Sequence, residues 1–486
     1  MFLSEAALEF ALEIGRQNAL ADSMSFSIYD RKYLLFVILC HSNSLLFYAL
    51  TLKLVAKMRK KSVIRAGKRK NFWVNWNYFC IFAVEINTQP MDIAIYTLTS
   101  ELHDEKAVGA VTREFLNSLQ IDYTLKGNDY ADYGSQALSV IYVRTGGTEG
   151  IFRRLLPQLK QQSQAPFYLL TSGKSNSLAA SMEILSFLQQ NGLQGEIIHG
   201  SADYISHRLQ ILATVSEARR NMQGCRLGII GQPSDWLISS IVDPAAAKAR
   251  LGIELVEIPM DELLSAIDKT PETATQDDAP NEAIREALPM ANRIYDALRS
   301  IVEQYHLQGL TIRCFDLLTA VHNTGCIALA RLNSEGIVAG CEGDVPAMLS
   351  MMIVQSLLGV SGFQANPASI NPETGEMLFA HCTIPFNMVE RYELDTHFES
   401  GIGVGIRGYM KEGSVTIFKL SGDLSRCFIA EGELIRSQAK PDLCRTQQVI
   451  QLADKRQTDY FLTRPIGNHH IILPGHHREL LENLIS

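Results

Sequence analysis

The sequence predicts an α/β protein: two Rossmann-like parallel-sheet domains followed by a C-terminal β-rich, mainly antiparallel domain. Three observations carry this. From residue 91, short apolar runs alternate with amphipathic stretches of helical length, as in a parallel sheet covered by helices. The alternation restarts near Cys225. After His381 it stops, and period-two segments separated by turn residues replace it.

A chain of 486 residues exceeds what one core fills, so several domains are expected. Hydrophobic residues make up 47% and charged residues 20%, which fits a globular chain rather than a disordered one. The net charge of −8 argues against nucleic acid as a partner, because its binders carry basic faces. Nine cysteines, with no C-x-x-C pair, favour reduced thiols in a reducing, cytoplasmic compartment. Cys341 reads as a small core residue.

Residues 1–90 differ in composition from the rest of the chain and are set apart as an atypical basic and apolar extension. Residues 33–55 are largely apolar and run into Lys57, Arg59, Lys60 and Lys61, but His41, Asn43 and Lys53 interrupt them, which makes a poor membrane span. The lead-in is too long for a secretory signal. Residues 91–96 look like the natural first strand of a domain, so the extension reads as upstream sequence and stays outside the predicted fold.

The N-terminal α/β domain is placed at 91–222. Strands are expected at 93–96, 137–143, 166–170 and 196–199, and helices at 105–119, 151–161 (kinked at Pro157) and 178–191. Gly173-Lys174-Ser175 lacks the preceding glycine of a phosphate loop and reads as turn chemistry or a pocket rim. The second α/β domain is placed at 223–382. Its strands are expected at 226–230, 255–258 and 310–314, with a polar loop at 270–281 and a helix over 281–303 bent at Pro289. Asp235 and Trp236 follow the first of these strands. They read either as a polyol-binding carboxylate and aromatic face or as a helix cap beside a half-buried Trp.

Residues 336–381 carry the chemistry. An apolar stretch from 327 to 341, broken by a turn, ends in Glu342-Gly343-Asp344. An amphipathic helix follows, with Val345, Met348, Leu349, Met352 and Ile353 at helical spacing. Asp344 sits at the N-cap position and Pro346 suits the first turn. Capping does not explain Glu342, where a buried partner or a metal would. A second apolar strand closes on His381. Strand ends beside helix starts are where open α/β sheets place sites.

The β-rich domain is placed at 383–486, with strands expected at 402–409, 414–420 and 426–434. His397 and Glu399 either line a site or belong to an ordinary polar loop. Two His pairs close the chain, His469-His470 and His476-His477. Adjacent residues on a strand point to opposite faces, so only one of each pair can face a given site.

The stretch Cys341-Glu342-Gly343-Asp344, with Phe379-Ala380-His381 and Gly467-Asn468-His469-His470, resembles the L-fucose isomerase and L-arabinose isomerase family, over most of 91–486. The resemblance implies a metal-dependent aldose–ketose isomerase acting on a small sugar through an enediol. It implies Glu342 and Asp344 in catalysis and Glu342, Asn366, His381 and His469 around a divalent metal. Mn²⁺ is the expected ion, with Mg²⁺ the alternative, since both accept oxygen with some imidazole. Asp235, Trp236, His397, Glu399 and His470 are the candidate substrate contacts. The family also implies a homo-oligomer, trimer or hexamer. One departure stands out: Asn366 occupies the place of a family carboxylate, and an amide offers an oxygen but is no base. A catalytically altered sugar-binding homologue without turnover is therefore the alternative.

Overall fold

A computed structural model describes residues 92–271 and 279–485. The expectations for residues 1–90, and most of the polar loop at 270–281, lie outside those residues. No helix among the described residues is long and apolar enough to cross a membrane.

The first sheet contains β1 (Ile93–Leu98), β2 (Thr124–Gly127), β3 (Leu138–Val143), β4 (Phe167–Leu170) and β5 (Gly195–Ile198), all parallel in the order β2-β1-β3-β4-β5. Its helices are α1 (Glu105–Asn117), α2 (Glu149–Gln162), α3 (Ser177–Gln190) and α4 (Ala202–Met222). All six residues of β1 are buried, as befits a parallel strand covered on both faces. Asp104 and Ser201 cap α1 and α4 by accepting from Lys106 N and Tyr204 N. Pro157 stays inside α2, which runs on through it as one helix.

The second sheet holds β6 (Arg226–Ile230), β7 (Glu254–Ile258), β8 (Gly309–Ile312) and β9 (Val338–Gly340), parallel in the order β7-β6-β8-β9. Its helices are α5 (Pro244–Leu251), α6 (Met260–Lys269), α7 (Glu282–Tyr305), α8 (Cys314–Val321), α9 (Cys326–Ser334) and α10 (Val345–Leu358). Three expectations are corrected. The strand expected to reach Cys314 ends at Ile312, and Cys314 opens α8. The apolar lead-in at 327–341 is a buried helix, α9, followed by a short strand, because a short apolar run does not distinguish the two. The third concerns α10, which is buried on nearly every side rather than amphipathic. It packs against α4 and β6 and against barrel residues Phe418, Leu420 and Ile471, so its whole circumference meets protein. Ser350 pins this junction: its Oγ donates to Pro346 O at 2.7 Å and accepts from Leu420 N at 3.0 Å.

The remaining strands are β10 (Phe363–Ile370), β11 (Glu376–His381), β12 (Arg391–Asp395), β13 (Gly405–Tyr409), β14 (Gly413–Leu420), β15 (Cys427–Gln438), β16 (Thr446–Leu452) and β17 (His470–Pro474), with α11 (Thr458–Thr463) and α12 (Arg478–Ile485) near the end. Six of them close an antiparallel barrel in the order β10-β11-β16-β15-β14-β17, which leaves no free edge. β12 and β13 form a separate ribbon, with β12 overlapping a segment expected to be loop. The barrel already begins at Phe363, upstream of residue 383. Phe363, Phe379, Ile417, Ala430, Ile450 and Ile472 fill its core.

Leu349 of α10 is fully buried. Leu349→Ala is predicted to lower urea-unfolding stability by about 2–5 kcal/mol. A loss below about 1 kcal/mol would show that α10 is not a shared core.

Candidate metal centre

The second sheet and the barrel meet at the carboxyl end of β9. Here the chain turns sharply through Cys341, Glu342, Gly343 and Asp344. Glu342 and Gly343 both adopt the left-handed region, with φ of 64° and 69°. That conformation costs a non-glycine residue about 1–2 kcal/mol and persists where its surroundings fix it. Glu342 O accepts from Ser234 N at 3.0 Å, and Gly343 N donates to Ile312 O at 2.8 Å. Buried Gln364 clasps Cys341, accepting from its N at 2.9 Å and donating to its O at 3.3 Å. Gly343 is required twice over, since a Cβ there would lie 2.6 Å from Gln232 O.

This turn aims the Glu342 carboxylate at two imidazoles. His469, which directly precedes β17, places Nε2 at 3.5 Å from Glu342 Oε1. His381, the last residue of β11, places Nε2 at 3.7 Å from the same oxygen. The three offer ligand atoms within 4.8 Å of one another, the one such group among the described residues. Each ring is fixed through its other nitrogen. His469 Nδ1 lies 2.8 Å from Asp344 Oδ2, and His381 Nδ1 lies 3.0 Å from Thr383 Oγ1. With Nδ1–H donated to Asp344, His469 would offer the lone pair of Nε2 to a cation that displaces the Nε2 proton, the arrangement typical of metal-ligating imidazoles. That Nε2 is buried without a hydrogen-bond partner. A buried polar atom facing a carboxylate and a second imidazole fits a divalent cation.

The electrostatics are set by burial and pairing. Burial pushes the Glu342 carboxyl up, but His381 and His469 outweigh it and hold the group far below the usual carboxylate range. Burial pulls His469 down, and Asp344 and Glu342 reverse this, raising it to about 9. For His381 burial wins, and the ring is lowered. Asp344 is fully buried and both its oxygens are engaged. Oδ1 accepts from Ala347 N at 2.8 Å, capping α10, and Oδ2 takes His469. Burial raises its carboxyl, but the Lys419 charge and His469 bring it down to about 2. Lys419 of β14 is wholly buried with Nζ 3.6 Å from Asp344 Oδ2. In the sequence it lies within the strand expected at 414–420, and no local motif marks it.

The remaining expected site residues divide. Asn366, His397 and Glu399 line the same cavity as Glu342 and His381. Asn366 pairs with Ala380 across β10 and β11, which sets it beside His381. Trp236 donates from Nε1 to Glu342 Oε2 at 2.6 Å. Its ring meets Phe315 edge-on at 5.0 Å, and Phe315 meets His397 at 5.9 Å. Phe315 was not foreseen, because it falls where a strand end was expected. His397 is lowered to about 4 by burial and by the charges of His381 and Arg445, so it stays neutral. Glu399 is raised by burial and by the Glu342 charge. Two other candidate substrate contacts lie apart from this cavity lining. Asp235 is turned outward and held by Arg313 at 2.9 Å, its side chain 86% exposed. His470 points to the other face of β17, bonded to Tyr460 and Asn468 among Phe428 and Phe461, as strand alternation demands. The cavity itself measures about 50 Å³.

The chain is similar to proteins named sulfoquinovose isomerase. That of Alkalicoccus urumqiensis is 22% identical over 268 residues, covering 50% of this chain and 59% of its own. That of Priestia aryabhattai is 21% identical over 262 residues, covering 51% and 59%. A Clostridium relative (strain MSTE9) is 34% identical over 91 residues, covering 18% and 20%. The chain thus matches 59% of the length of the two longer-matching relatives. No family model matches the chain.

Lys419→Met leaves the Asp344 charge buried without its cation. Unfolding stability at neutral pH is predicted to fall by about 3–5 kcal/mol, as for other broken buried pairs. An unchanged midpoint in urea would show that Lys419 does not compensate Asp344.

Proposed function

We propose that the protein is a divalent-metal-dependent aldose–ketose isomerase, of the kind represented by L-fucose and L-arabinose isomerases, that works through an enediol. The observation that carries this reading is the convergence of His381 Nε2 and His469 Nε2 on Glu342 Oε1, each ring fixed through Nδ1. The likeness to proteins named as isomerases of a sugar supports it independently.

Glu342, His381 and His469 would hold the ion, Mn²⁺ in first place and Mg²⁺ in second, with the Asn366 amide oxygen at the same cavity. When bound, the ion supplies a Lewis acid that acidifies the C–H next to a sugar carbonyl. The residues do the rest. Glu399, with a raised carboxyl at the cavity wall, takes the proton from one carbon and returns it to its neighbour. Glu342 is a ligand in this scheme, since Oε1 faces the imidazoles and Oε2 is held by Trp236. Asp344 positions His469 instead of acting as a base, because both its oxygens are occupied. Neutral His397 accepts a hydroxyl hydrogen bond, and the Trp236 and Phe315 faces pack on sugar C–H groups. The same reading carries a small-molecule sugar substrate, a cytoplasmic setting and a homo-oligomer, trimer or hexamer. It also carries an N-terminal α/β domain at 91–222, a second α/β domain from 223, and a β-rich domain whose barrel starts at Phe363 rather than at 383.

The second reading, sugar binding without turnover, draws on Asn366 standing where the family has a carboxylate. The two separate on the full-length chain. Incubation with L-fucose, L-arabinose and sulfoquinovose in Mn²⁺ is predicted to yield a ketose from one of them, and Glu342→Gln to lose both metal and turnover. Glu399→Gln is predicted to keep its metal and lose about 10²–10⁴-fold in kcat. Sugar binding with no ketose under any metal supports the second reading. Glu399→Gln with wild-type kcat removes Glu399 as the base.

A further inference from the structure

Isomerisation uses no thiol, yet five cysteines wall the cavity beside Glu342 and His381: Cys314, Cys326, Cys341, Cys382 and Cys444. They come from separate segments of two folding layers, so no local motif announces them. Four of them form two pairs. Cys341 Sγ lies 3.2 Å from Cys314 Sγ. Cys382 Sγ accepts from Arg445 N at 3.4 Å, which brings the preceding Cys444 alongside it, and both cysteines line the same cavity. Each pair joins a buried thiol, Cys341 or Cys382, to a partly exposed one, Cys314 or Cys444. The buried member is covalently next to a centre residue: Cys341 precedes Glu342 and Cys382 follows His381. A thiolate metal site does not account for the cluster. Among the described residues no three of these sulfurs come as close together as the Glu342–His381–His469 group does, whereas such sites need three or four ligands.

Pairwise chemistry does account for it. A disulfide spans about 2.04 Å, so the Cys314 and Cys341 sulfurs need approach by only about 1.2 Å. We propose that Cys314–Cys341 and Cys382–Cys444 are two oxidisable dithiols that close to disulfides on meeting a hydroperoxide, and that their closure disables the carboxylate–imidazole centre. One thiol of each pair, as its thiolate, attacks the peroxide oxygen, giving a sulfenic acid and releasing water from H₂O₂. Its partner then attacks the sulfenic sulfur, the S–S bond forms, and a second water leaves. Two electrons pass from each dithiol to the peroxide. Closure draws on Cys341 and Cys382, and through the backbone moves Glu342 and His381 off their common focus. The switching part rests on the metal reading above; the pairing of thiols does not.

The test uses the reduced full-length chain, treated with H₂O₂, quenched, and mapped by differential alkylation and peptide mass spectrometry. The expected products are the 314–341 and 382–444 cross-links, both reversed by dithiothreitol. Mn²⁺ affinity is expected to fall by about 10–100-fold on oxidation, the size seen when ligand orientation is lost, and to recover on reduction. The Cys314→Ser/Cys444→Ser variant is expected to hold its Mn²⁺ affinity through the same treatment. Sulfinic or sulfonic acids without cross-links, or cross-links between other cysteines, overturn the pairing. The expected cross-links with undiminished Mn²⁺ affinity overturn the switch. If the reduced chain binds no Mn²⁺, the metal reading fails, and the cross-link map still decides the pairing.

Discussion

The bond between Asp344 Oδ2 and His469 Nδ1 spans 125 positions of sequence and is wholly buried. It ties the head of α10 to the entry of the last barrel strand, and so the parallel sheet to the barrel. Desolvating a carboxylate, an imidazole and the Lys419 ammonium together costs several kcal/mol per charge, and their mutual attraction repays this only when geometry is good. Such a network therefore does less for net stability than for uniqueness. It permits one arrangement of the two layers, and that arrangement leaves His469 Nε2 facing Glu342.

The site follows from how the layers meet. In an open parallel sheet, a strand end beside a helix start leaves a crevice. Here the crevice after β9 is roofed by the barrel, whose β10, β11 and β17 adjoin and bring Asn366, His381 and His469 to one place. The left-handed Glu342 backbone supplies the remaining vector. Strain of this kind gathers at functional positions because a neighbouring framework over-determines it, and Gln364, Ser234 and Ile312 are that framework. The thiol pairs sit in the same framework, one residue from Glu342 and one from His381. Chemistry at sulfur is thereby coupled to the ligand geometry without any long-range path.

Much of this was legible in the sequence. Apolar runs of strand length located most of the parallel strands, and the turn residues Gly413 and Asp423 bounded β14. Glu342, His381 and His469 were legible because short motifs held them, and Asp344 because cap preference is local. What escaped has a common cause. Lys419 and Gln364 look like ordinary strand residues until a partner 75 or 23 positions away is known. The Trp236–Glu342 bond spans 106 positions. The α9 helix was read within a strand-like run because apolar residues on every side erase the helical period, and α10 was read as amphipathic although its polar face is buried too. His470 shows the opposite case, where period-two alternation already excluded one of two neighbours but not which one.

In the proposed function Glu342, His381 and His469 converge to hold one divalent cation. Anomalous diffraction from crystals of the full-length chain soaked in Mn²⁺ tests it most directly. A single strong peak is expected within bonding distance of Glu342 Oε1, His381 Nε2 and His469 Nε2. A peak held by other residues, or none there at saturating Mn²⁺, would contradict it.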